Sequence, residues 1–306
     1  MIRVGIVGAA DPRATWFLAA ARRRRAGVRI VGVSDPDEVA RDQLAGLHGL
    51  PGWADHRTLL AEAQPSLVAI ACPDPVPVVL DALRHDLDVV VAPPLAGHPD
   101  ELTAIAELAD TVGRRVTLAL TYRGHPATRT AVELINRLGR VGLVSLVLGG
   151  EAAAGTHQLS IMEGLDLFQW LTGTTARSLT SIDDGHRARA DDPDDLRRAF
   201  GELILVAETD DGAAGFEVRH QPGPVDRPEV IQVYGEAGAI EWDPRTGILR
   251  SALDEQAPVT LSCGRPDQPE WVLNNLIRKS QPVISTAYSL ELMRVLLSQD
   301  RTEHLT

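Results

Sequence analysis

Apolar and polar positions follow two different rhythms along the 306 residues. In the first 120, continuous apolar runs at Ile2–Val7, Val28–Ser34, Leu67–Ala71, Val89–Ala92 and Val116–Leu120 alternate with amphipathic stretches near 13–25, 37–47, 56–63, 76–86 and 99–113. Unbroken β-branched runs suit parallel strands covered on both faces, and the alternation predicts right-handed βαβ units. The expected fold class is α/β, a Rossmann-type doubly wound parallel sheet over residues 1–121. Residues 124–139 read as a linking helix. After Gly142 the rhythm changes to a strand (143–150), a helix (158–172) and four or five longer strands within 177–251. Turn signals at Asp211-Gly212, Pro222-Gly223-Pro224 and Ala237-Gly238 separate those strands. Helical stretches at 270–279 and 286–299 close the chain. Residues 122–306 are thus expected to form an α+β domain with a mainly antiparallel sheet, its final helices packing back on the first domain.

Composition narrows the partners. A net charge of -12 opposes nucleic acid and anionic membrane surfaces, which need clustered cations. The run Arg22–Arg25 reads as the last turn of a helix before Gly27, where cations offset the helix dipole. Two cysteines, Cys72 and Cys263, make neither a disulfide framework nor a zinc pattern. No cluster of ligating residues has metal spacing. The acidic stretch Asp191–Asp195, with Asp183-Asp184, reads as a solvated loop. With no long apolar run and no basic-then-apolar leader, the expectation is a cytoplasmic protein.

Candidate chemistry begins at the first strand–helix junction, Val4-Gly5-Ile6-Val7-Gly8-Ala9-Ala10-Asp11-Pro12-Arg13. A dinucleotide fingerprint places glycines here for the tight turn, the approach of the pyrophosphate and helix–strand packing. Only Gly8 stands; Ala10 and Arg13 hold the other two places. Ala10 is expected to crowd a pyrophosphate, whereas Arg13 offers it charge. Asp35, ending the second strand, is placed to hold ribose hydroxyls, which favours NAD over NADP; the plainer reading is a strand end capping the next helix.

Together with Val31–Asp37, Pro65–Pro73, Pro94-Leu95-Ala96, Tyr122-Arg123, Asp166–Gly173 and Ile277–Arg294, that junction resembles the Gfo/Idh/MocA oxidoreductases. The resemblance runs in order along nearly the whole chain. It implies an NAD(P)-linked enzyme of sugars or polyols and a cofactor wall that includes Gly8, Ala9, Ala10, Arg13, Asp35, Cys72, Pro73 and Pro93. It also implies a catalytic lysine in a Glu-Lys-Pro motif, assisted by an aspartate and a histidine on the second domain's first helix. Here the glutamate and lysine positions are Ala92 and Pro93, and the helix positions are Leu159 and Glu163. The chain's one lysine is Lys279. Proline has no proton to give, so the lysine mechanism is rejected. The segment Ala152–His157 is also shorter than the family's usual excursion over the substrate.

Replacement catalytic groups are sought in Glu163, Asp166 and Tyr122, with Arg123 and His157 as substrate contacts. Glu163 and Asp166 are three apart and share a helix face, so one carboxyl can keep a proton while the other stays ionised. The plain alternatives are backbone bonding for Asp166, a solvated Glu163, a structural His157 and a loop residue in His125. Three functions remain open: a divergent NAD-linked oxidoreductase of a small polar, sugar-like substrate; a non-redox lyase, isomerase or hydrolase; and a non-catalytic sensor or accessory subunit. The first is favoured. A homo-oligomer through the C-terminal sheet, or association with a related subunit, is expected from the resemblance.

Overall fold

The computed structural model describes residues 1–23, 27–149, 156–182, 204–209, 215–221, 229–244, 246–254, 256–264 and 284–297. Arg24, Arg25, Lys279, Glu151, Asp183-Asp184, Asp191–Asp195, the expected helix at 270–279 and the turns at 211–212 and 222–224 lie outside them. The chain divides into two compact units, Met1–Thr121 with Gln268–Leu297, and Tyr122–Asp267 with Ser298–Thr306.

In the first unit β1 (Ile2–Val7), β2 (Val28–Ser34), β3 (Gly52–Trp53), β4 (Leu67–Ile70), β5 (Asp88–Val91) and β6 (Val116–Leu118) form one parallel sheet. The order β3-β2-β1-β4-β5-β6 reverses between β1 and β4, and ligands of such sheets settle at this switch point. The apolar runs become strands because both faces are covered: Val4, Ile6, Val33, Val68, Ala69 and Val90 are fully buried. β3, two residues long, carries too little pattern to be read in advance.

The connecting helices are α1 (Ala14–Arg23), α2 (Glu38–His48), α3 (His56–Ala63), α4 (Val76–Arg84) and α5 (Pro99–Val112). Their ends follow local chemistry. Asp37 caps α2 by accepting the Val39 and Ala40 amides, and Gly49 ends it in the left-handed region. His98 and Glu101 form a capping box on α5, with Pro99 in its first turn. α8 (Thr286–Leu297) belongs to this unit. Its Thr286 and Ser289 hydroxyls accept the Val116 and Leu118 amides at 3.0 and 3.2 Å, satisfying donors on the edge strand β6.

The second unit holds an eight-stranded sheet. Its strands are β7 (Val141–Gly149), β8 (Ala176–Ile182), β9 (Ile204–Thr209), β10 (Gly215–Gln221), β11 (Val230–Gly235), β12 (Gly238–Asp243), β13 (Ile248–Leu253) and β14 (Val259–Ser262), ordered β14-β13-β12-β11-β7-β10-β9-β8. Six pairings are antiparallel and β7–β10 is parallel. The sheet is thus mixed and mostly antiparallel, and β14 extends it beyond the region where strands were expected.

One face carries α6 (Pro126–Ile135) and α7 (Thr156–Thr172), whose start takes in Thr156 and His157. Gly164 allows α7 to lie close on the sheet. A Cβ there would come within 2.7 Å of a Leu146 methyl and 3.1 Å of the Phe216 ring. One turn on, Phe168 packs on Phe216 with ring centres 5.5 Å apart. Trp242 of β12 is fully buried and donates its indole N–H to Thr128 of α6 at 3.0 Å. On β13 buried and exposed residues alternate strictly, so this strand's other face is open.

Candidate functional site

The junction of β1 and α1 opens onto a cavity of about 890 Å³, lined from the ends of β1, β2 and β4 and the turn before α3. Gly8 is the one position of the turn that demands glycine. Its φ is +99°, and a Cβ there would lie 2.0 Å from the Ala71 carbonyl oxygen. Ala9 and Ala10 are not in the positive-φ region, so alanine fits where the fingerprint prefers glycine. Ala9 packs against the hydrophobic core, while Ala10 lines the cavity.

Asp35 is 6% exposed and also lines the cavity. Its Oδ2 accepts the Ala10 amide at 2.9 Å and its Oδ1 the Asp37 amide at 2.8 Å. The capping of α2 falls to Asp37, not Asp35. A carboxylate has about four acceptor positions, so Asp35 keeps lone pairs for ribose hydroxyls while two amides fix its orientation. With the close approach at Gly8, the residues present fit the adenosine-ribose half of a dinucleotide.

Cys72 and Pro73 form part of the same wall. Burial, with Asp74 and Asp35 adding to it, pushes the Cys72 thiol up to about 11, so it is a neutral wall and not a nucleophile at neutral pH. His56, also on the lining, lies 3.1 Å from Asp81, which further binds Arg57 and Arg84.

Arg13 is not the unattached cation that the sequence suggests. Its Nε and Nη2 donate to the two Asp11 carboxylate oxygens at 2.9 and 2.6 Å, and its Nη1 donates to the Pro93 carbonyl. Asp11 Oδ1 accepts the Arg13 amide as well. Pro93, which the resemblance sets at the lysine position, is buried and followed by a cis bond to Pro94.

The remaining candidates lie in the second unit. Arg123 and Asp166, 6% and 0% exposed, form a two-pronged ion pair at 2.7 and 2.6 Å. The Arg123 guanidinium lies 5.0 Å from the Trp170 ring centre. Glu163, a catalytic candidate whose plain alternative was a solvated helix residue, is 1% exposed and accepts the Tyr122 amide at 3.0 Å. Each carboxylate of the expected pair therefore has a partner of its own. The Tyr122 hydroxyl donates to Glu229 at 2.6 Å. Glu229 carried no signal in the sequence, because it is 107 residues from Tyr122.

His125 lies in the connection before α6, as expected, but it is fully buried and caps that helix; its Nδ1 accepts the Ala127 amide, and burial lowers its pKa. His157 lies in the first turn of α7, and its side chain is outside the described residues. Among the described residues no group of three or more His, Cys, Asp or Glu could hold a metal, and no helix is long and apolar enough to cross a membrane.

Residues 2–120 match the model of the Gfo/Idh/MocA oxidoreductase family, described as an NAD-binding Rossmann fold. The inositol 2-dehydrogenase of Rubrobacter xylanophilus is 29% identical over 125 residues, a span of 40% of this chain and 36% of that enzyme. Among solved structures, the WlbA dehydrogenase from Bordetella pertussis, in complex with NADH and UDP-GlcNAcA, aligns with a TM-score of 0.76 at 15% identity over 97% of this chain and 95% of that one. The UDP-N-acetylglucosamine 3-dehydrogenase GnnA from Acidithiobacillus ferrooxidans aligns with a TM-score of 0.79 at 12% identity, over 97% and 96%. An oxidoreductase domain protein from Kribbella flavida reaches 20% identity with a TM-score of 0.77, over 97% and 96%. These structural likenesses show a shared fold over nearly the whole chain.

Proposed function

We propose that this chain is an NAD-linked oxidoreductase of a small polar, sugar-like substrate that moves its proton without the family lysine. The observation that carries the reading is the Asp35 carboxylate, oriented by two backbone amides on the wall of the large cavity at the switch point. A carboxylate there holds ribose hydroxyls and repels a 2′-phosphate, favouring NAD over NADP. A nicotinamide cofactor supplies hydride transfer to or from the substrate carbon. The accompanying proton needs a group of this chain. Pro93 has none, and Asp166 is committed to Arg123. Tyr122 has a hydroxyl proton held against Glu229 at 2.6 Å, and Glu163 lies at its backbone. We assign Tyr122 as the proton carrier, with Glu229 as its acceptor and Glu163 as the group that positions the Tyr122 backbone. Exposed Tyr234 and Ile248 on the second unit's sheet support self-association through that sheet.

NADH and NADPH titrations followed by nicotinamide fluorescence test the cofactor reading. NADH is expected to bind at least about tenfold tighter, and Asp35→Ala to erase that preference; equal binding by the wild type refutes it. In a screen of sugars and nucleotide sugars, Tyr122→Phe is expected to lower kcat about a hundredfold, and unchanged turnover removes the Tyr122 assignment. Turnover that persists after the cofactor is stripped points instead to a non-redox enzyme.

A further inference from the structure

A dinucleotide is normally held by its diphosphate at the start of the first helix, where unpaired amides and the helix dipole attract negative charge. Here the donors from Ala10 to Arg13 are already engaged. The Ala10 amide goes to Asp35 and the Asp11 amide to the Gly8 carbonyl at 3.3 Å. Pro12 has no amide hydrogen, and the Arg13 amide goes to Asp11 at 2.8 Å. The one cation of the turn is held by Asp11 on one side and by the Pro93 carbonyl on the other. Asp11 is well covered, with 15% of its side chain exposed, and it lines the cavity.

We propose that Asp11 is a specificity-determining residue of the nucleotide cavity: its carboxylate fills the diphosphate seat and makes the site discriminate against diphosphate-bearing ligands. The inference rests on the NAD reading and sharpens it. An incoming diphosphate meets a like charge, and must draw Arg13 away from Asp11 before it gains a cation. A neutral adenosine meets neither obstacle, since Asp35 and the apolar wall serve it unchanged. The site is therefore tuned to weak dinucleotide binding, with the affinity set by how readily Asp11 gives up Arg13.

The two members of the pair make opposite predictions, which separates this role from simple support of the turn. Asp11→Asn keeps a side-chain oxygen for the Arg13 amide, so the turn is retained. It removes the negative charge and frees the guanidinium. NADH and ADP are expected to bind on the order of tenfold tighter or more, with adenosine unchanged. Arg13→Ala leaves Asp11 without that neutralising charge, and NADH and ADP are expected to bind weaker, again with adenosine unchanged.

The measurement is calorimetric titration of wild type and both variants with adenosine, ADP and NADH at two salt concentrations, with thermal unfolding as the check on folding. Opposite shifts for the phosphate ligands alone establish the role. Equal NADH affinity in wild type and Asp11→Asn overturns the inference and leaves the NAD reading standing. Parallel weakening of all three ligands in both variants also overturns it, because Asp11 and Arg13 would then only order the turn. Absence of NADH binding in every form overturns both.

Discussion

The buried pair Arg123–Asp166 is a sensitive point of the second unit, and Asp166→Ala tests it. Both charges are almost fully covered, and two charge-assisted hydrogen bonds join them at 2.7 and 2.6 Å. Bonds to charged groups contribute about 1.5–3 kcal/mol each. Removing one partner of a buried pair destabilises by about 3–5 kcal/mol, because the other charge stays desolvated. The Trp170 face, 5.0 Å from the guanidinium, offsets about 1–2 kcal/mol of that. The expected net loss is about 3 kcal/mol. In urea, with a slope of about 2 kcal/mol/M, the midpoint should fall by roughly 1.5 M. Replacing Trp16, Trp53 and Trp271 with phenylalanine leaves the fluorescence of Trp170 and Trp242 to follow this unit. A loss below about 1 kcal/mol would refute the reasoning, since the pair would then behave like an exposed one. So would a double variant, Arg123→Met with Asp166→Leu, that is as unstable as Asp166→Ala alone. If the damage comes from a stranded charge, removing both charges recovers most of it.

Two further outcomes follow from the first unit. Gly8→Ala forces a Cβ within 2.0 Å of the Ala71 carbonyl at a φ of +99°, and should lower stability by about 3 kcal/mol or more; an unchanged melting temperature would show that the turn can shift. Burial of Asp81 alone would raise its pKa, but the hydrogen bonds from Arg57, His56 and Arg84 outweigh this and hold it at about 2, against 3.8 for the ordinary group. A depressed carboxyl stabilises above the unfolded value and loses that contribution as pH falls from about 4 towards 2. The drop corresponds to about 2 kcal/mol, reduced to about 1 kcal/mol because Arg57 and Arg84 are exposed to solvent. Asp81→Asn should therefore be about 1 kcal/mol less stable than wild type at pH 6 and equal to it near pH 2; a difference that persists at pH 2 would contradict the assignment.

Much of the architecture was legible because it is local. Buried parallel strands write themselves as unbroken apolar runs, whereas the cap of α2, read at Asp35, falls two residues on at Asp37. The demand for glycine at Gly8 and the acid at Asp35 could be read for the same reason, since both belong to one strand–turn–helix unit and the strand beside it. Two-residue β3 and the strand β14 were missed because so few residues carry little periodicity.

By itself, then, the sequence determined two rhythms and two sheets, all properties of neighbouring residues. Only the tertiary structure decided how the charges are spent. Arg13 reaches 80 residues to Pro93, Arg123 reaches 43 to Asp166 and Tyr122 reaches 107 to Glu229. The amino-acid order gives each of these side chains many possible partners. Packing removes all but the ones that satisfy a buried charge or hydroxyl, because leaving such a group unpaired away from water costs more than most single contacts return.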